Sequence, residues 1–289
     1  MPEERSEFAS FLRSRRERIR PEDVGLPAAG RRRTPGLRRE ELAALAGISV
    51  DYVVRLEQGR ETNPSVSVLA ALARTLQLNE DEGKHLKGLA AAASCGPLCP
   101  AAPATSAVDD RTLALLEQMN GSPAFVLNHL TDVLAWNGAY ERLMAATGLF
   151  DMENLIRHTF LVPCARRLYP DWEAIAREQV GNLRAASGRW QSDTAIPGLV
   201  GELSVGGDDF ARLWAEHDVG EKRSGTKELR HPVVGELRVD FTALVLPEGE
   251  ARLVVYLPAD EASAAALERL DAPEPEEAGL PRRLRVVGE

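Results

Sequence analysis

The sequence predicts two domains of different class, an all-α one of five short helices over the first ninety residues and an α+β one with an antiparallel sheet beyond residue 120. Three observations carry this. Five segments before residue 94 place apolar residues at helical spacing, with no competing strand pattern. The stretch SCGPLCPAAPATSAVDD, residues 94 to 110, is rich in Pro, Ala and Ser without apolar periodicity, as an interdomain linker is. Towards the other end, KELRHPVVGELRVDFTALVLPEGEARLVVYLP alternates apolar and polar residues, in Leu237, Val239, Phe241 and again in Leu253, Val255, Leu257, with Pro-Glu-Gly-Glu between them as a hairpin turn.

In chain order, helices are expected at residues 5 to 20, 38 to 46, 49 to 58, 65 to 77 and 80 to 93. Gly47 supplies the positive φ of a tight turn, and Ser49 opens the next helix as its N-cap. Asn63-Pro64-Ser65 stops the chain again and caps a helix whose Val68, Leu69, Leu72, Ala73 and Leu76 share one face. A linker and connecting helix fill 94 to 119. Beyond them come a short strand-like run at 124 to 137, helical stretches near 138 to 147, 151 to 158, 170 to 187 and 207 to 217, the alternating strands, and a last helix at 260 to 270. The second domain is thus 120 to 270, and 271 to 289, with Pro, acids and Arg in no period, is expected to be a disordered tail.

The 289 residues are 44% hydrophobic and 27% charged, ordinary for a soluble protein with two cores. The N-terminal MPEERSEFASFLRSRRERIR carries charge where a secretory signal needs an apolar run, and no stretch is apolar enough to span a bilayer, so the cytoplasm is the expected compartment. Cys95, Cys99 and Cys164 are too few for a disulfide framework and lack the partners of a zinc site. The net charge of -9 conceals an asymmetry: residues 5 to 60 hold 13 Arg against 8 acids, a net of +5, which leaves -14 for the rest. Such a split suits a chain of which only one domain meets a polyanion.

Within the basic part, LRREELAALAGISVDYVVRLEQGR, residues 37 to 60, has the layout of a helix-turn-helix. Leu42, Ala43, Ala46, Ile48, Val53 and Leu56 form its inner face, and the alanines are small because two helices cross closely there. Ser49, Val50, Asp51, Tyr52 and Arg55 then lie at the end of the second helix that enters a DNA major groove, with Arg60 just beyond it. Arg31, Arg32 and Arg33, in the preceding loop, could reach phosphates or the minor groove. Residues 5 to 92 resemble the Xre/Cro-like DNA-binding domains through ELAALAGIS, RLEQGR and NPSVSVLAALARTL in that order. Where that family commonly has Thr-Gln, this chain has Arg38 and Arg39; cations in a first turn oppose the helix dipole unless a phosphate sits there, so both are expected to grip DNA backbone.

In the second domain, Trp136, Phe160, Trp172, Phe210 and Trp214 are large side chains interspersed with Asn137, Arg157, Arg184 and His231, the mixture of an apolar pocket with a few polar anchors, in which an Arg could hold a carboxylate. Core packing is the alternative use of such aromatics, and His231, before Pro232, suits a structural role. DVLAWNGAY, NLIRHTF, DWEAIAREQVGNLR, FARLWAEHDV and KELRHPVVGEL, behind this N-terminal domain, resemble the ligand-binding domain of the MmyB-like regulators. That resemblance implies a PAS-like fold enclosing an apolar pocket and a fatty-acid-like ligand; no other cofactor is expected. The chain shows no GxSxG, HExxH, phosphate loop or dinucleotide fingerprint, which argues against an enzyme. The reading is a regulator that binds double-stranded DNA, as a homodimer by the half-site geometry of the motif, and whose operator affinity shifts with a small-molecule ligand. A second domain serving only dimerisation or protein contact is the alternative.

Overall fold

Short polar side chains set the helix starts of the N-terminal region. The hydroxyls of Ser6, Ser49 and Ser65 accept from the backbone N–H groups of Ala9, Tyr52 and Val68 at 3.2, 3.1 and 3.3 Å, each satisfying a donor that the first turn leaves open. Asn79 and Glu82 exchange backbone and side-chain bonds of 2.9 Å in both directions. The helices so defined are α1 (Glu7–Arg18), α2 (Arg39–Ala46), α3 (Val50–Glu57), α4 (Val66–Thr75) and α5 (Glu80–Cys95). Gly47, at φ 68°, closes α2.

The structure is a computed structural model, and it describes residues 6–27, 36–61, 63–95, 107–119, 121–190, 193–247, 251–271 and 285–286. It divides into two units: Met1–Ala102 with Arg184–Ser192 and Ala215–Gly220, and Pro103–Leu183 with Asp193–Trp214 and Glu221–Glu289. In the first, Phe8, Phe11 and Leu12 of α1 pack with Leu42, Val53, Leu56, Leu69, Leu72 and Leu86. Ala46 and Ile48 are only partly buried. Gly36 lies so close to α1 that a Cβ on it would sit 2.3 Å from the Glu17 carbonyl oxygen, and this approach lets the Leu37 N–H reach the Arg16 carbonyl at 3.0 Å.

The second unit contains α6 (Asp110–Gln118), β1 (Ala124–Leu127), β2 (Val133–Trp136), α7 (Gly138–Met144), α8 (Leu155–Leu161), α9 (Ala165–Leu168), most of α10 (Trp172–Arg189), α11 (Ala195–Gly206), α12 (Asp208–Ala215), β3 (Ser224–His231), β4 (Gly235–Val245), β5 (Arg252–Pro258), α13 (Glu261–Asp271) and β6 (Arg285–Val286). The antiparallel sheet has the order β3-β4-β5-β1-β2-β6. One face of its middle, with Ala124, Val126, Leu253 and Val255, is covered by Leu116 of α6. Alternation puts Phe125, Val254 and Tyr256 on the opposite face, where the register sets Phe241 beside Tyr256.

The sequence expectations meet three corrections here. The run at 124 to 137 is two strands, because Asn128 turns the chain: its side-chain oxygen accepts from the N–H groups of Leu130 and Asp132, both at 2.9 Å. Leu257 does not continue the buried row of Leu253 and Val255 but is 51% exposed, in the last two residues of β5, which are both exposed. The tail is not structureless throughout, for Val286 pairs with Ala135 and Arg285 with Trp136 along the otherwise open edge of β2. The remaining tail residues, 272–284 and 287–289, and the turn residues 248–250 lie outside the described residues. No described helix is long and apolar enough to cross a membrane.

Candidate functional site

The outer side of the helix-turn-helix is built from the exposed residues that its core leaves over. Val53 and Leu56 turn α3 inward, which leaves Val50, Asp51 and Arg55 exposed and Tyr52 half-buried. The Ser49 hydroxyl is engaged in capping, so it fixes the start of α3. The Arg55 guanidinium lies 5.4 Å from the centre of the Tyr52 ring, a cation–π distance. Burial raises the Tyr52 phenol above its ordinary value and keeps it a neutral donor. Arg60 is exposed just past α3, its backbone N–H on the Arg55 carbonyl at 3.0 Å. Arg31, Arg32 and Arg33 lie outside the described residues.

Arg38 and Arg39 differ in their surroundings. Arg38 is exposed at the N-cap of α2, where its backbone N–H donates to Glu41 at 2.7 Å. Arg39 donates from Nε to Glu57 Oε2 at 2.7 Å. The same carboxylate, only 1% exposed, is gripped from the other side by buried Arg16, through Nε to Oε1 and through Nη2 to Oε2 at 3.3 Å. Arg16 Nη1 further donates to the Leu37 carbonyl at 2.7 Å. Glu57 therefore ties α1, α2 and α3 together, and it gives Arg39 an internal counter-charge, so a phosphate is not needed to offset that cation. Sequence reading missed this pair, although Arg16 was a signal: a cation on the apolar stripe of Phe8, Phe11 and Leu12 calls for a buried acid.

In the second unit a half-open recess of about 40 Å³ lies against one face of the sheet. Phe125, Leu127, Leu155, Phe241, Val254 and Tyr256 give it apolar walls. Its charged wall comes from Glu178 of α10, Lys227 of β3, and Lys222 and Arg252. An apolar wall beside a charged one matches a small molecule with an apolar body and one polar end, of which a recess of about 40 Å³ seats the polar end and leaves the body along its open side.

None of the eight residues expected to bind ligand lines this pocket. Trp136 stacks on Phe150 with ring centres 4.8 Å apart. Asn137 spends its amide on structure, accepting from the N–H groups of Tyr140 and Ala124 and donating to the carbonyls of Met119 and Ser122. Arg157 forms a paired contact with Glu202 at 2.9 and 2.8 Å. Phe160 meets Trp172 and Phe210 edge-on, Trp172 donates from Nε1 to the Thr159 carbonyl at 2.9 Å, and Trp214 stacks on Phe210. Arg184 groups with the first unit, 3.3 Å from His217 Nδ1, and burial lowers it to about 10. His231 donates from Nε2 to the Leu143 carbonyl at 2.9 Å and accepts at Nδ1 from Val233 and Val234, and burial keeps it neutral. Most of these aromatics form the helical layer, while the pocket takes its rings from the strands.

Two family comparisons decide what these units are. Residues 7–86 match a helix-turn-helix domain, and residues 108–270, over half of the chain, match the MmyB-like transcription regulator ligand binding domain. The chain belongs to the MmyB-like transcription regulators. A comparison with curated proteins returned no match. The regulator pairs a DNA-binding helix-turn-helix with a ligand-binding domain, which makes it a DNA-binding transcriptional regulator. Among the described residues no group of three or more His, Cys, Asp or Glu is placed to hold a metal ion.

Proposed function

We propose that this regulator is a cytoplasmic, non-enzymatic homodimer that binds operator DNA through α3 and the arginines at the start of α2, with an affinity set by a small apolar or fatty-acid-like ligand in the second unit. The observation that carries the ligand reading is the pocket: six apolar walls and a lysine-bearing side in one recess of the domain that matches a ligand-binding family. Val50, Asp51 and Arg55 read base edges, and Arg38 with Arg39 holds backbone phosphate. The ligand acts by favouring one spacing of the two helix-turn-helix units over another, so its effect on operator affinity equals its differential affinity for the two arrangements.

The test is the anisotropy of labelled upstream DNA with the full chain, titrated with a panel of carboxylic acids and neutral apolar compounds, beside light scattering of the free protein. A dimer whose DNA affinity moves at least about tenfold with one compound class, equivalent to about 1.4 kcal/mol of coupling, supports the reading. Operator affinity indifferent to every compound would leave the second unit as a dimerisation or protein-interaction module.

A further inference from the structure

The seat that an acidic ligand would take in the pocket of the second unit is already held by a carboxylate of the protein. Glu178 Oε2 lies 2.9 Å from Lys222 Nζ, and its Oε1 lies 3.2 Å from Lys227 Nζ. Glu178 and Lys227 are 9% and 8% exposed, whereas Lys222 stands half open at 47%. Both ammonium groups also face the Phe241 ring, at 5.7 and 4.7 Å from its centre. All four residues line the pocket.

Two ammonium groups against one carboxylate leave one positive charge in excess, in a recess where water screens poorly. A cationic guest meets net repulsion, and a neutral one gains a hydrogen bond from the lysines without the attraction between opposite charges. A monoanion matches the excess, but it reaches both lysines only by displacing Glu178.

We propose that Glu178 is a built-in competitor: the pocket takes an organic monoanion with an apolar body, and the acid group of that ligand must displace the Glu178 carboxylate from Lys222 and Lys227. This rests on the reading that the pocket is the ligand site. It makes the internal carboxylate a brake on affinity, so that the empty and loaded states differ in what α10 is bonded to through Glu178.

The test is calorimetric titration of the full chain with sodium octanoate and with 1-octanol, which share an apolar body and differ in charge, for the natural protein, Glu178→Gln and Lys222→Met. Glu178→Gln is expected to bind octanoate about tenfold more tightly, the worth of one charge-assisted contact, and to leave 1-octanol unchanged. Lys222→Met weakens octanoate alone. Should Glu178→Gln not fold, Glu178→Asp, with a shorter reach towards the lysines, tests the same direction. Octanoate affinity unchanged or reduced in the Glu178 variants overturns the proposal, as does 1-octanol binding as tightly as octanoate, which would leave the pocket reading intact. Neither compound binding any of these proteins would overturn the pocket reading itself, and the proposal with it.

Discussion

Arg39 Nε donates to Glu57 Oε2 at 2.7 Å, which joins the first residue of α2 to the last residue of α3. The bond places the Arg39 guanidinium at the outer start of α2 while the carboxylate stays buried on Arg16. Its two ends carry unequal weight. Glu57→Gln leaves the buried Arg16 guanidinium with only the more exposed Glu17, at 3.5 Å, as counter-charge and is expected to cost about 3 kcal/mol, read by urea denaturation of the full chain. Arg39→Met removes only the 41% exposed partner and is expected to cost under about 1 kcal/mol. Equal losses would mean that Glu57 is not the shared anchor of the three helices.

Arg38 and Arg39 are expected to contribute to DNA binding through charge. Each neutralised phosphate adds a slope of about -0.9 to the dependence of log affinity on log salt. Arg38→Ala should flatten that slope by about one unit and weaken binding alike for specific and scrambled DNA. An unchanged slope would place Arg38 away from the phosphates.

Two glycines give opposite predictions. A Cβ at Gly36 meets the backbone of Glu17 and Arg16, with no flexible side chain to yield, so Gly36→Ala is expected to destabilise by about 1 to 3 kcal/mol. Gly83, inside α5, would carry a Cβ into open space, and Gly83→Ala should stabilise by about 0.5 to 1 kcal/mol. Thermal melts of both variants check the pair.

Acid should weaken the second unit through its buried histidines. His158 and His231 are held below the ordinary imidazole range by burial, and each donates from Nε2 to a backbone carbonyl. Above about pH 6.5 both states are neutral and these groups add no pH dependence. As the pH falls below that value, the unfolded chain takes up protons that the folded one refuses, and stability declines until the folded-state values are passed. The melting temperature is therefore expected to drop between pH 7.5 and 5.5, and the double variant His158→Gln, His231→Gln should show a smaller drop. An equal drop in both proteins would assign acid sensitivity to other groups.

The helix-turn-helix was legible because its signals are local: Gly47 at the turn, Ser49 and Ser65 as caps, and leucines at helical spacing each act within a few residues. The pocket was not. Its rings come from β1, β4 and β5, which only the sheet register brings together, while the tryptophans that drew attention fill the helical layer. Yet the charged wall left traces in the pattern. Lys227 stands in the inward row of β3 with Leu229 and His231, and Glu178 falls three residues after Ile175 on the buried stripe of α10. α11 falls in a stretch where no helix was expected, since Pro197, Gly198 and Gly201 are poor helix formers, although Pro is tolerated in a first helical turn.

The most direct test of the central claim is fluorescence anisotropy of the purified chain on the intergenic DNA upstream of its own gene against a scrambled duplex, beside Asp51→Ala, Arg55→Ala, a double variant confined to the exposed side of α3. The account predicts tighter binding to the upstream DNA, and loss of that preference in a variant whose circular dichroism is unchanged. Equal affinity for both duplexes, or a preference that the variant retains, would contradict DNA reading by this helix.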